Sequence, residues 1–122
     1  MATTKRTRVK RTRAGGQWTE AKYWAFVRSL LRKGWLRYPV RSQVLNNSRK
    51  VVTGQRHRFE YLCASCGSYY KGKEVEVDHI VPCGNLDKDP GRFIQALYCE
   101  PKDLQVLCKP CHKVKTEQER KR

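Results

Sequence analysis

Residues 108–120, CKPCHKVKTEQER, join a Cys-x-x-Cys knuckle directly to a segment that we predict to be a C-terminal helix. A second knuckle, CASC, occupies residues 63–66, and 41 residues separate the two. Two such knuckles supply four thiolates, which is the ligand set of a closed, tetrahedral structural zinc site. We therefore predict one structural zinc ion held by Cys63, Cys66, Cys108 and Cys111. Two unrelated Cys-x-x-Cys pairs are the alternative.

Two further cysteines, Cys83 and Cys99, lie between the knuckles at no ligand spacing. We interpret them as buried or free thiols, with a second metal site as the alternative. No apolar segment follows the basic N-terminus as an export signal would require, so the cysteines favour metal binding over disulfides. The predicted zinc would pin the start of a β-hairpin to the start of the C-terminal helix. It would thereby bring residues 78–79 within reach of residue 112.

The segment EVEVDHIVP, residues 74–82, alternates apolar and polar side chains, which predicts a half-buried strand. In a regular strand Asp78 and His79 point to opposite faces. Two side chains on opposite faces cannot act together at one site unless the strand ends or twists there. Pro82 interrupts the hydrogen-bonding ladder, so we expect the strand to end at this pair. With the preceding YYKGK, residues 69–73, this strand is predicted to form a hairpin around Gly72.

Positive charge is concentrated in the first half of the chain. The 122 residues are 31% charged and 39% hydrophobic, with a net charge of +16. Residues 1–59 contain 16 Lys/Arg and one acid, Glu20, whereas residues 60–122 contain 11 Lys/Arg and ten acids. This asymmetry indicates a polyanionic partner, with nucleic acid ahead of an anionic membrane. No stretch is apolar enough to cross a bilayer, so we expect no membrane span and a cytoplasmic location.

Three regions are predicted within an α+β fold. Residues 1–16 have the composition of a disordered basic arm, residues 17–58 form a basic helical region, and residues 59–122 form a core of short strands and a helix.

The helical region contains a predicted helix, which is capped by Thr19 and stopped by Gly34. Its segment is WTEAKYWAFVRSLLRKG, residues 18–34. Its core-facing stripe would be Tyr23, Phe26, Val27, Leu30 and Leu31. A shorter helix is expected at about residues 41–49, and a helical turn at GRFIQALY, residues 91–98.

Taken in order, the motifs C-x-x-C, E-V-D-H-I-x-P and D-L-Q-V-L-C-x-x-C-H-x-x-K-T resemble the zinc-binding form of the HNH endonuclease family over about residues 60–116. The preceding FVRSLLRKGWLRYPVR, residues 26–41, resembles less specifically the leader of small phage-encoded HNH proteins. The resemblance implies a ββα-metal fold for residues 59–122, in which a hairpin and a helix clasp one divalent ion. It also implies metal-dependent hydrolysis of DNA phosphodiester bonds.

The resemblance further implies the site residues. His79 would be the general base, because a neutral imidazole accepts a proton at neutral pH. Asp78 and His112 would hold a catalytic Mg²⁺, Mn²⁺ or similar ion and leave most of its coordination sphere open. Asp103 stands where the family usually has Asn, and Asn85 is a distant substitute. A carboxylate at position 103 can accept a hydrogen bond from the imidazole or ligate a cation, but it cannot donate an amide N–H.

Basic side chains are predicted to bind the DNA backbone, namely Lys5, Arg6, Arg8, Lys10, Arg11, Arg13, Arg28, Arg32, Lys33 and Lys115. Without an obvious sequence-reading module, we expect weak specificity or a partner that supplies it. Two alternatives are a non-catalytic zinc-ribbon nucleic-acid binder and a phage packaging accessory that acts with a terminase. A pure binder needs none of Asp78, His79 and His112. A phage-encoded protein would act in the host cytoplasm.

Overall fold

The structure, a computed structural model, describes residues 8–121. These residues adopt an α+β fold, as predicted, with four α-helices, a three-stranded antiparallel sheet and a two-stranded antiparallel sheet. The helices are α1 (Glu20–Trp35), α2 (Pro39–Asn47), α3 (Pro90–Leu97) and α4 (Lys109–Arg120). The strands are β1 (Arg49–Val51), β2 (Phe59–Leu62), β3 (Tyr69–Tyr70), β4 (Val75–His79) and β5 (Leu104–Cys108).

Helix α1 begins directly after its predicted cap and ends one residue beyond its predicted stop. The Thr19 hydroxyl accepts a hydrogen bond from the backbone N–H of Lys22 at 3.2 Å, which caps the helix. The predicted stop at Gly34 is wrong, because the helix continues to Trp35. Gly34 is instead a close-contact position: a Cβ there would lie 2.6 Å from the hydroxyl oxygen of Tyr98. Glycine at this position therefore lets the residue that follows α3 pack against α1.

The buried face of α1 also differs from the predicted stripe. Phe26 and Leu30 are 48% and 50% exposed. The residues that pack against the cluster of Leu86, Phe93 and Leu97 are Trp24, Val27, Leu31 and Trp35. Both stripes have helical spacing and share Val27 and Leu31. The observed face also covers two indole rings, which remove more apolar area from water than the predicted face would.

The predicted hairpin around Gly72 is wrong. Residues 72–74 form a 3₁₀ turn between two sheets. On one side of the turn β3 pairs with β2, in a sheet ordered β1-β2-β3. On the other side β4 pairs with β5, in a register that runs from Val75 opposite Cys108 to His79 opposite Leu104. Alternation predicts that a segment is a strand, but it does not predict which strand is its partner.

The β4–β5 hairpin forms the centre of the core. Its buried residues Val75, Val77, Leu104 and Val106 pack against α2 and against Trp35. Trp35 also contacts the α3 cluster, so this one side chain joins the helical region to the hairpin. The segment predicted to contain a helical turn is the two-turn helix α3. Asp89 caps it, with Oδ1 accepting from the backbone N–H of Arg92 at 3.1 Å.

The described part of the basic arm leads into a turn at residues 13–18. Arg13 and Trp18 form an isolated antiparallel bridge, and the Arg13 guanidinium pairs with Glu20 in the first turn of α1. Lys5 and Arg6, which the sequence assigned to DNA binding, lie outside the described residues. Among residues 8–121, none of the helices has the length and hydropathy needed to cross a membrane.

Candidate active site

The four knuckle cysteines form one cluster. Their Sγ atoms all lie within 4.8 Å of one another. Ligands that are about 2.3 Å from a tetrahedral zinc lie roughly 3.8 Å apart, so the cluster has the dimensions and the soft donors that suit zinc. It connects the residue after β2, the end of β5 and the first turn of α4. The backbone N–H of Ala64 donates to the carbonyl of Val106 at 2.8 Å and joins the first knuckle to β5.

Hydrogen bonding favours the thiolate form of two of these cysteines, Cys63 and Cys66. The Tyr70 hydroxyl lies 3.3 Å from the Cys66 sulfur and lowers the pKa of Cys66 to about 6. Cys111 shows the opposite effect, since a hydrogen bond with Cys108 raises its pKa to about 12. Burial opposes ionisation of Cys63, but hydrogen bonds from backbone N–H groups outweigh burial and lower the pKa of this thiol as well. Two thiolates are therefore favoured, whereas full deprotonation of the cluster requires a compensating cation.

A second site lies in a cleft of about 350 Å³ between α1, β4 and α4. Asp78, His79 and His112, which the sequence singled out together, all line this cleft. Arg32 of α1 and Glu119 of α4 line it as well. Asp78 is only 7% exposed, which is unusual for a carboxylate and requires local polar partners.

Asp78 and His112 are the two groups with the geometry of metal ligands. The Asp78 Oδ1 atom lies 3.3 Å from the His112 Nε2 atom. Two ligands that each lie about 2.1 Å from one ion at close to a right angle are about 3 Å apart. The carboxylate oxygen is a donor that Mg²⁺ and Mn²⁺ prefer, whereas the imidazole nitrogen suits later first-row ions such as Ni²⁺. The pair therefore fits a divalent ion.

Lys115 holds the second oxygen of Asp78. Its Nζ atom lies 3.1 Å from the Asp78 Oδ2 atom, and it donates to the Glu119 carboxylate at 2.8 Å and to the backbone carbonyl of His79 at 3.0 Å. The amide of Gln105 also donates to Asp78 Oδ2, at 3.1 Å. Burial disfavours the ammonium, but its hydrogen bonds to Glu119 and Asp78 outweigh burial and raise the pKa of Lys115. From the sequence we predicted that Lys115 binds DNA, whereas its ammonium lies within 3.1 Å of an oxygen atom of each of these three residues, Asp78, Glu119 and His79.

His79 occupies the last position of β4, where the sequence expected the strand to end. Its Nε2 atom lies 2.9 Å from the carbonyl oxygen of Leu97. A carbonyl can only accept, so Nε2 carries a hydrogen, and in the neutral ring Nδ1 has the lone pair. The Trp35 ring packs on the imidazole, with the ring centroids 5.0 Å apart and the planes at 40°. Helices α1 and α3 thus both fix the orientation of His79.

Asp103 does not hydrogen-bond to His79 in the described part of the chain. The hydrogen-bond acceptor for the His79 ring is the Leu97 carbonyl, and not the Asp103 carboxylate that we considered from the sequence. The Asp103 side chain is exposed, and its backbone carbonyl accepts from the N–H of Ile80 at 3.0 Å. Asn85 lies near α3, where its carbonyl accepts from the N–H of Asp89 at 3.2 Å.

Glu76 is a site residue that the sequence reasoning missed. Its Oε2 atom lies 2.8 Å from the His112 Nδ1 atom. The alternation of β4 had placed Glu76 on the same strand face as Asp78, which is the signal that could have found it. The remaining cysteines, Cys83 and Cys99, are half-buried, and burial raises the pKa of both thiols. Neither belongs to the cysteine cluster.

The remaining basic residues differ in their surroundings. Arg8, Lys10, Arg11 and Lys33 are exposed, whereas Arg28 is half-buried. Arg13 is held by Glu20 rather than free in an arm. Arg32 is exposed at the cleft and has no ion pair within residues 8–121. Of these cations, Arg32 is therefore best placed to meet an anion in the cleft.

One curated relative gives an independent comparison. A protein of Lactococcus phage SK1 named "Probable HNH endonuclease" is 38% identical over 65 residues. The matched stretch covers 52% of this chain and 62% of that protein, so it spans less than two thirds of the relative. No protein-family profile and no solved structure matches the chain.

Proposed function

We propose that this chain is a metal-dependent HNH endonuclease that hydrolyses phosphodiester bonds of DNA, either nicking or cutting the duplex. The observation that carries the proposal is the meeting of Asp78, His79 and His112 in one cleft. The partial likeness to a relative named as an HNH endonuclease supports a nuclease at the level of the family. A protein that only binds nucleic acid through a zinc ribbon has no use for this trio.

Each group in the cleft has a role in this reaction. His79 takes a proton from the attacking water at Nδ1, while its hydrogen bond to Leu97 maintains the reactive tautomer. Asp78 and His112 would hold a Mg²⁺ or Mn²⁺ ion, which when bound stabilises the negative charge that develops on the phosphate. Arg32 adds a positive charge from α1 at the same cleft.

DNA is the proposed substrate because the positive charge extends beyond the cleft. The first half of the chain carries nearly all of the net charge. Exposed cations such as Lys33 can bind the phosphate backbone in any sequence. The terminase partnership considered from the sequence has no support in the comparisons.

Asp78→Ala and His112→Ala should each lower the rate of plasmid nicking roughly tenfold or more, because each removes one of only two protein ligands of the divalent ion. Both variants should keep their zinc and their affinity for DNA, since neither residue belongs to the cysteine cluster. The assay is conversion of supercoiled to nicked plasmid at a Mg²⁺ concentration that half-saturates the wild-type protein.

Two matched variants serve as controls for this assay. Asp87→Ala removes an exposed carboxylate, and His57→Ala removes an imidazole that pairs with Glu60 and does not line the cleft. Both should nick at close to the wild-type rate. A wild-type rate in Asp78→Ala or His112→Ala would show that the ligand assignment is incorrect.

Deleting residues 1–11 should weaken DNA binding and reduce its dependence on salt. The deletion removes five cations, Lys5, Arg6, Arg8, Lys10 and Arg11, and leaves the Arg13–Glu20 pair intact. Each lost phosphate contact lowers the slope of log affinity against log salt by about 0.9. Fluorescence anisotropy between low and moderate salt measures the slope. An unchanged slope would show that the arm does not touch DNA.

A further inference from the structure

We propose that Glu76 is a positioning residue that holds His112 in the orientation and tautomer needed to bind the catalytic divalent ion. The inference rests on the proposed function, because it concerns the same metal site. It begins from the contact between the Glu76 Oε2 atom and the His112 Nδ1 atom, at 2.8 Å. The other ring nitrogen, Nε2, is the one that lies 3.3 Å from Asp78 Oδ1.

The two nitrogens of His112 are thereby given different tasks. A carboxylate can only accept a hydrogen bond, so the nitrogen that faces Glu76 carries the hydrogen. The Asp78 Oδ1 atom beside Nε2 is also only an acceptor, so Nε2 offers its lone pair only when an ion lies between the two. With the hydrogen kept on Nδ1 by Glu76, that lone pair then faces the ion. A metal-binding histidine needs a nitrogen free of hydrogen, and an outer carboxylate that fixes the tautomer also strengthens the nitrogen as a donor.

The local structure explains why Glu76 reaches this position. Glu76 and Asp78 are two residues apart on β4, so their side chains leave the same face of the strand. His112 lies in the first turn of α4 and contacts both carboxylates. The cysteine cluster fixes the start of α4 relative to the hairpin through Cys108 and Cys111. The position of the imidazole is therefore determined by the backbone, and Glu76 determines its rotation.

Asp78 is held in a corresponding way. Lys115 and Gln105 both bind its Oδ2 atom, which leaves Oδ1 beside His112. Each of the two ligands is thus fixed by an outer hydrogen bond on the atom that does not face the other ligand. An arrangement of this kind lowers the cost of ordering the ligands when the ion binds.

A purely structural role for Glu76 predicts a different outcome. Its side chain is 45% exposed, and an ion pair between exposed side chains contributes little to stability. Loss of Glu76 should therefore leave the melting temperature and the zinc content nearly unchanged. Its effect should instead be on the affinity of the second metal site, which is a property that a general stabilising residue would not alter.

The test is calorimetric titration of Mn²⁺ into the zinc-loaded protein. Glu76→Ala should bind Mn²⁺ about 10–100-fold more weakly than wild type. At saturating Mn²⁺ its nicking rate should recover to within a few-fold of wild type, because both ligands remain. Glu76→Gln keeps an oxygen that accepts from Nδ1, so its loss of affinity should be smaller. Glu74→Ala removes the same charge two residues earlier, and Glu74 has no ion pair within residues 8–121, so it should bind Mn²⁺ like wild type.

The outcomes separate the inference from the function on which it rests. A wild-type protein that shows no Mn²⁺ binding beyond zinc overturns the metal-dependent function itself. Wild-type Mn²⁺ binding with the same affinity in Glu76→Ala overturns only the role of Glu76. An equal loss in Glu74→Ala would show a general charge effect and would also overturn it. Should Glu76→Ala lose its fold, Glu76→Val decides, because valine suits a strand and cannot accept from Nδ1. Wild-type Mn²⁺ affinity in that variant contradicts the proposal.

Discussion

Replacement of His79 by alanine is expected to slow DNA cleavage roughly 10²–10⁴-fold, which is the usual contribution of a positioned general base. DNA affinity and zinc content should stay at wild-type levels, because His79 belongs neither to the cysteine cluster nor to the basic arm. Single-turnover nicking at saturating Mg²⁺ measures the rate, and anisotropy measures DNA affinity. A His79→Ala protein that cuts like wild type would remove the general base from the mechanism.

Cys108→Ser should lose both zinc and the folded state. Cys108 is 2% exposed and lies at the junction of β5 and α4, so its sulfur connects the hairpin to the helix that carries His112. A structural zinc contributes on the order of 10 kcal/mol of binding free energy, which is comparable to the whole stability of a small domain. Elemental analysis and a circular-dichroism melt should therefore show no zinc and no cooperative transition.

Cys83→Ser is the matched control for this experiment. Cys83 is a half-buried cysteine outside the cluster, so the variant should retain its zinc and a cooperative melt. The contrary finding for the wild type would be natively purified, folded protein that contains no zinc. That finding would show that the four cysteines pack in the core without binding zinc.

The parts of the fold that the sequence predicts correctly have local signals. Thr19 and the acid that follows it mark the start of α1. The spacing of the two knuckles identifies all four cysteines of the cluster. The end of β4 at His79 is also predicted, because Asp78 and His79 cannot face one phosphate within a regular strand. In each case the structure is determined by neighbouring residues in a short segment, or by a residue type, such as paired cysteines, that has few structural roles.

The parts that fail depend on contacts between distant segments. The Val75–His79 strand has the correct alternation, but its partner is β5 and not the adjacent β3, since the cysteine cluster brings β5 beside it. Glycine commonly ends a helix, yet Gly34 lies within α1, where the close approach of Tyr98 leaves no room for a Cβ atom. Side-chain partners such as Lys115 for Asp78 depend on the final packing of α4 on β4. No pattern within either segment specifies that pair.

The most direct test of the proposed endonuclease is a titration of Mg²⁺ and, in parallel, Mn²⁺ into zinc-loaded wild-type protein with supercoiled plasmid as substrate. We predict no nicking without the added ion and a saturable rise in nicked product as the ion is added, with the zinc content constant throughout. A protein that binds the plasmid but leaves it intact at every concentration of either ion would contradict the proposal. That result would favour the non-catalytic zinc-ribbon binder.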